Sequence, residues 1–197
     1  MKLFNTIILA AGLSAVSALP TVIKRDFVVV NCNDRQIKML NQARRLCQER
    51  GISARDVAYS YESHHTRLLL EFFKDDSYAT RNQLYDTFFK VADDCQDSGI
   101  PIHCVPSQHK SCKDNAAGIT ALENNGVNNT PIMYGYCPIF FEAFLQDNPE
   151  CHGRDKAHAV LHETTHAMAD TLDKFYGYDG IVTHNHTVNL RNADTFA

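Results

Sequence analysis

The 197-residue chain has no tryptophan, no basic run longer than two residues, and no long apolar stretch after its first 20 residues. Without clustered Lys and Arg to grip phosphates, nucleic acid is not an expected partner. Without a further run of roughly 18 apolar residues, neither is the membrane. No CxxC pair occurs among the seven cysteines, so the usual spacing of a cysteine zinc site is missing. Two other absences bear on the closing of any metal site: no Glu follows Glu163 and no Met follows Met168.

What is present begins with MKLFNTIILAAGLSAVSALP, where Lys2, an apolar stretch from Thr6 to Ala15, and small residues at Val16 and Ala18 read as a signal peptide over residues 1–18. The dibasic pair Lys24-Arg25 ends an expected short pro-segment, 19–25, and leaves residues 26–197 as the working domain. Losing Lys2, Lys24 and Arg25 takes the formal charge from -4 to -7. The remainder is enough for one domain with a sizeable core. Secretion to the extracellular space implies oxidised thiols, hence three disulfides and one leftover cysteine among Cys32, Cys47, Cys95, Cys104, Cys112, Cys137 and Cys151. Asn128 and Asn185 open NNT and NHT, candidate glycan acceptors.

Asn33 or Asp34 caps a helix expected to run to about Glu49, with Ile37, Leu40, Ala43 and Cys47 on one face and Gly51 as its stop. A second helix is expected from about Thr80 to Asp94, with Leu84, Phe88, Val91 and Cys95 on one side, and HTRLLLEFFK between the two reads as a shorter helix. Each long helix carries a cysteine on its apolar face, so Cys47 and Cys95 make a cross-helix pair. After Gly99, turn formers and β-branched residues predict a small irregular sheet or hairpin from about Ile100 to Ile139. The fold class expected is α+β: a mainly helical single domain with a small irregular β region.

From Arg154 to about Ala169 there is no Gly or Pro, and Ala157, Val160, Leu161 and Met168 recur among polar residues, which predicts a largely buried helix. HETTH lies on it. His162 and His166, four apart, project from one face, where both imidazoles can bind one ion. Glu163, one step round, can reach a water as general base. On the motif alone, a helix whose two histidines only hydrogen-bond stays open.

Elimination narrows the third ligand. A later Glu does not exist, and HExxHxxGxxH fails because position 169 is Ala, position 172 is Leu, and no Met-turn follows. Asp170, Asp173, Asp179, Asp194, His184 and His186 remain. Asp170 would lie about 12 Å along the axis from His162 at 1.5 Å per residue, so Asp173 leads if the chain doubles back. His158 is read as a supporting or surface residue by the same axial distance. His184 and His186 flank a glycan acceptor as loop residues, one of them a candidate to line the cleft.

HETTH followed by Asp173-Lys174-Phe175-Tyr176-Gly177 resembles the deuterolysin (aspzincin) family of secreted fungal metalloendopeptidases, with further matches at Cys32, Asp34, Cys104, Cys137, Cys151-His152 and Asn192-Ala193-Asp194. The resemblance implies a zincin-like active-site helix, zinc held by His162, His166 and Asp173, Glu163 polarising water, and Tyr176 donating to the oxyanion. It also implies pairs Cys32–Cys104 and Cys112–Cys137, with Cys151 left over. A monomeric secreted zinc endopeptidase acting on protein or peptide substrates is the implied function. The alternative is a secreted zinc-binding virulence effector of the same fold, with little proteolysis and a host protein as its target.

Overall fold

The computed structural model describes residues 28–113, 116–124, 129–150 and 152–197; the expected signal peptide, the expected pro-segment, Asn128 and Cys151 lie outside the described residues. Helix α1 (Asp34–Tyr59) opens on a reciprocal cap: the Asn33 side chain accepts from Gln36 N at 3.0 Å, and Gln36 Oε1 accepts from Asn33 N at 3.0 Å. Helix α2 (Ser63–Phe73) follows, and α3 (Tyr78–Asp97) starts on a Ser77 cap.

The expected stop at Gly51 is corrected, because α1 continues through it to Tyr59. Gly51 marks instead where α1 and α3 approach: a Cβ there would lie 3.1 Å from Ala92 Cβ. Close helix packing has overridden the roughly 1 kcal/mol by which a mid-helix glycine is disfavoured. Cys47 and Cys95 bond across the same interface, Cα atoms 6.0 Å apart.

Four strands form one mixed sheet in the order β1 (Val29–Val30), β2 (Ile102–Cys104), β4 (Asn129–Tyr136), β3 (Gly118–Asn124). β1 and β4 run parallel to β2, and β3 pairs antiparallel with β4 as an edge strand. Strand β1 is not among the sequence-based expectations, since two residues show no alternation to read. The Cys32–Cys104 bond ties its end to β2, and Cys112–Cys137 joins the loop before β3 to the end of β4.

A short helix α4 (Pro138–Glu142) leads to α5 (Lys156–Ala169), which packs against α1 and α3 on one side and β3 on the other. Leu40, Leu84, Val91, Ile102, Tyr134, Phe140, Val160 and Leu161 share the core between them. α5 begins at Asp155, fully buried, which accepts from His158 N at 2.8 Å and takes both arms of Arg50 from α1 at 2.9 and 2.6 Å. After α5 come only short helices: α6 (Tyr178–Thr183), α7 (His186–Asn189) and α8 (Ala193–Phe196).

Candidate metal centre

The chain reverses after α5 because Asp170 takes a left-handed conformation, φ 51° and ψ 40°, which a short polar side chain tolerates better than most. Its carboxylate turns away from the histidines and accepts from Asn129 Nδ2 at 3.0 Å. The returning loop is then pinned by the C-terminal segment. Leu172 N donates to Arg191 O at 2.8 Å, Ala193 N to Leu172 O at 3.1 Å, and Asn192 Oδ1 accepts from Lys174 N and Phe175 N at 3.0 and 3.2 Å. Asp173 is thereby carried back over α5.

His162 Nε2, His166 Nε2 and Asp173 Oδ1 form a triangle with sides of 2.9, 3.2 and 3.3 Å. A tetrahedral ion with ligands at roughly 2.0–2.2 Å separates neighbouring donors by about 3.3–3.6 Å, so the three atoms are placed to share one. Both far ring nitrogens are occupied: His166 Nδ1 lies 2.8 Å from Thr171 O, and His162 Nδ1 lies 3.3 Å from Asp194 Oδ1. Such contacts orient a ligating imidazole and fix its tautomer. Two imidazoles and a carboxylate suit zinc.

The electrostatics follow from the crowding. Burial alone would lower the pKa of His162, but Asp173 and Asp194 raise it to about 9. Burial likewise pulls His166 down, against Asp173 and the Thr171 carbonyl, with a net rise. His162 and His166 in turn hold Asp173 well below the usual carboxylate range. For Asp194, burial pushes up while His158, His162 and the Gly177 N–H pull down more strongly.

Glu163 faces β3 and is buried. A Cβ on Gly118 would lie 2.5 Å from its Cγ, so only glycine leaves the carboxyl this space. Thr120 Oγ1 lies 2.8 Å from both Glu163 O and Glu163 Oε2. With one proton the hydroxyl donates to one of them, and a protonated Glu163 can return a hydrogen bond to it. Burial is the main force on Glu163 and raises its pKa, against His162, His166 and Thr120.

Tyr176 is 57% exposed, so it is not a core residue. Its ring stacks on His162, centroids 5.8 Å apart at 18°, with the Arg154 guanidinium 5.5 Å away on the ring. Burial and the Asp173 carboxylate push its hydroxyl up to about 12.

Other candidates fall elsewhere. His158 meets Asp194 Oδ1 at 3.0 Å rather than the donor triangle. His184 stacks on Phe175, and His186 Nδ1 lies 2.8 Å from Phe73 O; neither lines the cleft, which corrects the expectation for that pair. Asp179 opens α6, and Asn185 caps α7 with its side chain accepting from Val188 N. Sequence reasoning missed Thr120, Gly118 and the support role of Asp194. Only the last had a signal, in Asn192-Ala193-Asp194.

Comparison with known proteins places these residues in a family context. A fungal protein described as "Neutral protease 2 homolog", from Paracoccidioides brasiliensis, is 33% identical over 135 residues, covering 66% of this chain and 36% of that protein. A homolog of the same description from Sclerotinia sclerotiorum is 28% identical over 195 residues, 95% of this chain and 51% of its own length. The chain thus spans about half or less of these relatives. In fold it is similar to a zinc peptidase from Grifola frondosa, with a TM-score of 0.64 at 14% identity, covering 84% of this chain and 93% of that one. The aspzincin family model, described as "Lysine-specific metallo-endopeptidase", matches residues 57–197, and the chain belongs to that family.

Proposed function

We propose that residues 26–197 form a secreted zinc endopeptidase domain in which His162, His166 and Asp173 hold the ion, Glu163 is the general base and Tyr176 the oxyanion donor. The observation that carries this is the donor triangle of 2.9, 3.2 and 3.3 Å with a buried carboxyl beside it on the β3 side. A zinc ion held there would supply a Lewis acid that polarises the scissile carbonyl and acidifies a water.

The chain's own residues do the rest. Glu163 takes the proton of the attacking water and, with its pKa raised by burial, retains it long enough to pass it to the leaving amine. The Tyr176 hydroxyl, titrating near 12, stays protonated at neutral pH and donates to the oxyanion. Asp194 keeps the imidazoles of His158 and His162 in line. Three disulfides among the described residues support an extracellular setting.

The test is Glu163→Gln. The amide cannot accept the water's proton, so hydrolysis of an unfolded protein substrate should fall by about 1,000-fold while the zinc content stays at that of the wild type. A wild type that holds zinc yet is as inactive as the variant on every substrate would favour the effector reading.

A further inference from the structure

Away from the metal centre, a second group of ligating side chains stands at the start of α2. Glu62, His64 and His65 each offer one donor atom, and these atoms lie within 4.8 Å of one another. Glu62 precedes the helix as its N-cap, but its side chain makes no capping hydrogen bond. Its carboxylate turns instead to His64 Nδ1, 3.5 Å away. The two imidazoles lie together, centroids 3.9 Å apart and tilted by 52°. His65 Nδ1 is shielded from solvent and has no hydrogen-bond partner among the described residues. A polar atom cut off from water costs stability until something pairs with it, and a bound ion would.

The backbone that carries the three donors is held in place by α3. Arg81 is 2% exposed; its guanidinium donates to Ala58 O at 3.3 Å, to Ser60 O, and to Thr66 Oγ1 at 2.8 Å, and lies 4.4 Å from the centre of the Tyr61 ring. The turn between α1 and α2 is thereby fixed on both sides of Glu62, while the Glu62 and His64 side chains, 68% and 54% exposed, are free to adjust. A tetrahedral ion separates neighbouring donors by about 3.3–3.6 Å, so closure on one ion asks those two side chains for little more than about 1 Å of movement. The positive end of the α2 dipole opposes a cation here, and the Glu62 carboxylate offsets it.

We propose that Glu62, His64 and His65 form a second metal site, for a late first-row divalent cation of the zinc and copper(II) class, with His65 Nδ1 as one donor. Two imidazoles and a carboxylate suit such ions, whereas calcium and magnesium take oxygen donors. The site shares no residue or element with the donors on and after α5 and does not rest on the endopeptidase reading. Its exposed side chains lose more freedom on binding than the buried imidazoles of α5, so it is the weaker of the two. The ion joins the turn after α1 to the first turn of α2.

The test is equilibrium dialysis of the full chain, prepared without a histidine tag, against free zinc rising through the micromolar range, with metal content read by elemental analysis. Wild type should reach about two ions per chain, one for each donor group. His64→Ala, a change at an exposed position, should lose only the weaker ion, whose affinity should fall by at least about tenfold. Asp173→Ala should lose only the tighter one. In Asp173→Ala loaded with copper(II), electron paramagnetic resonance should show nitrogen coupling from two imidazoles, and from one when His64→Ala is added. A weaker ion that stays in both His64→Ala and Glu62→Ala overturns the proposal, and so does one lost with Asp173→Ala, which would assign it to the metal centre. If wild type stops at a single ion, its loss in Asp173→Ala overturns the proposal, whereas its loss in His64→Ala upholds this site and denies the other.

Discussion

Helices α1 and α3 meet through Leu40, Ala43, Cys47, Leu84 and Val91, whereas the segment after α5 is held by Asn189, Asn192 and Asp194, equally buried and polar. Asn189 Nδ2 donates to Phe72 O and Ile181 O at 2.7 and 2.9 Å, and Asn192 and Asp194 take the backbone of the Asp173–Gly177 loop. Apolar contact is non-directional and scales with area, so the helical half supplies stability without fixing any one atom. Helices of four to six residues bury too little for that. Their side-chain hydrogen bonds are directional and set where Asp173 and Tyr176 stand. Stability and site geometry are therefore expected to respond to different substitutions.

The largest expected effect lies in the helical half. Leu84→Ala removes a fully buried side chain and should destabilise by about 3 kcal/mol in urea unfolding, with zinc affinity unchanged. If zinc affinity fell in step, the two regions would not be separable.

Next comes Gly118→Ala, whose methyl would displace the Glu163 carboxyl. Hydrolysis should drop by about 100-fold with zinc content retained. Loss of the metal as well would mean that β3 supports the donors and not only the base.

Asn192→Ala strips Lys174 N and Phe175 N of their acceptor. Zinc affinity should weaken by about tenfold to 100-fold, the range for removing a group that orients a ligand. A chelator-competition titration would read it, and an unchanged affinity would deny the polar scaffold its role.

The smallest effect is a pH trend with opposite signs in the two metal states. His162 has its pKa raised to about 9, so in chelator its paired proton contributes stability that is fully present below about 6.5 and lost as pH rises through about 9. Zinc competes with that proton. The gain in Tm on adding zinc should therefore grow from pH 6 to 9, by a few degrees, as measured by thermal melts; a gain that shrinks would contradict it.

The helical half was legible because apolar residues recur every three to four positions over α1, α3 and α5, and because Cys47 and Cys95 lie on the faces so marked. Gly51 misled because a glycine at a close helix crossing looks, in sequence, like a terminator. HETTH exposed two candidate donors and an acid by spacing alone, and Asp173 led among the six candidates that elimination left, with the family resemblance pointing to it. The contact of Thr120 with Glu163 was not legible, that of Asp194 with His162 showed only through the segment Asn192-Ala193-Asp194, and that of Arg50 with Asp155 left no signal. They join residues 43, 32 and 105 positions apart through single polar contacts, which leave no periodic trace.

The central claim is that the polar scaffold brings Asp173, and not its neighbour at the end of α5, onto the two histidines. The most direct measurement is the zinc content of purified wild type, Asp173→Ala and Asp170→Asn after dialysis against a weak chelator, by elemental analysis. The account predicts about one zinc per chain for wild type and Asp170→Asn, from three protein donors sharing one ion, and little for Asp173→Ala. Equal retention by the two variants, or loss in Asp170→Asn alone, would contradict it.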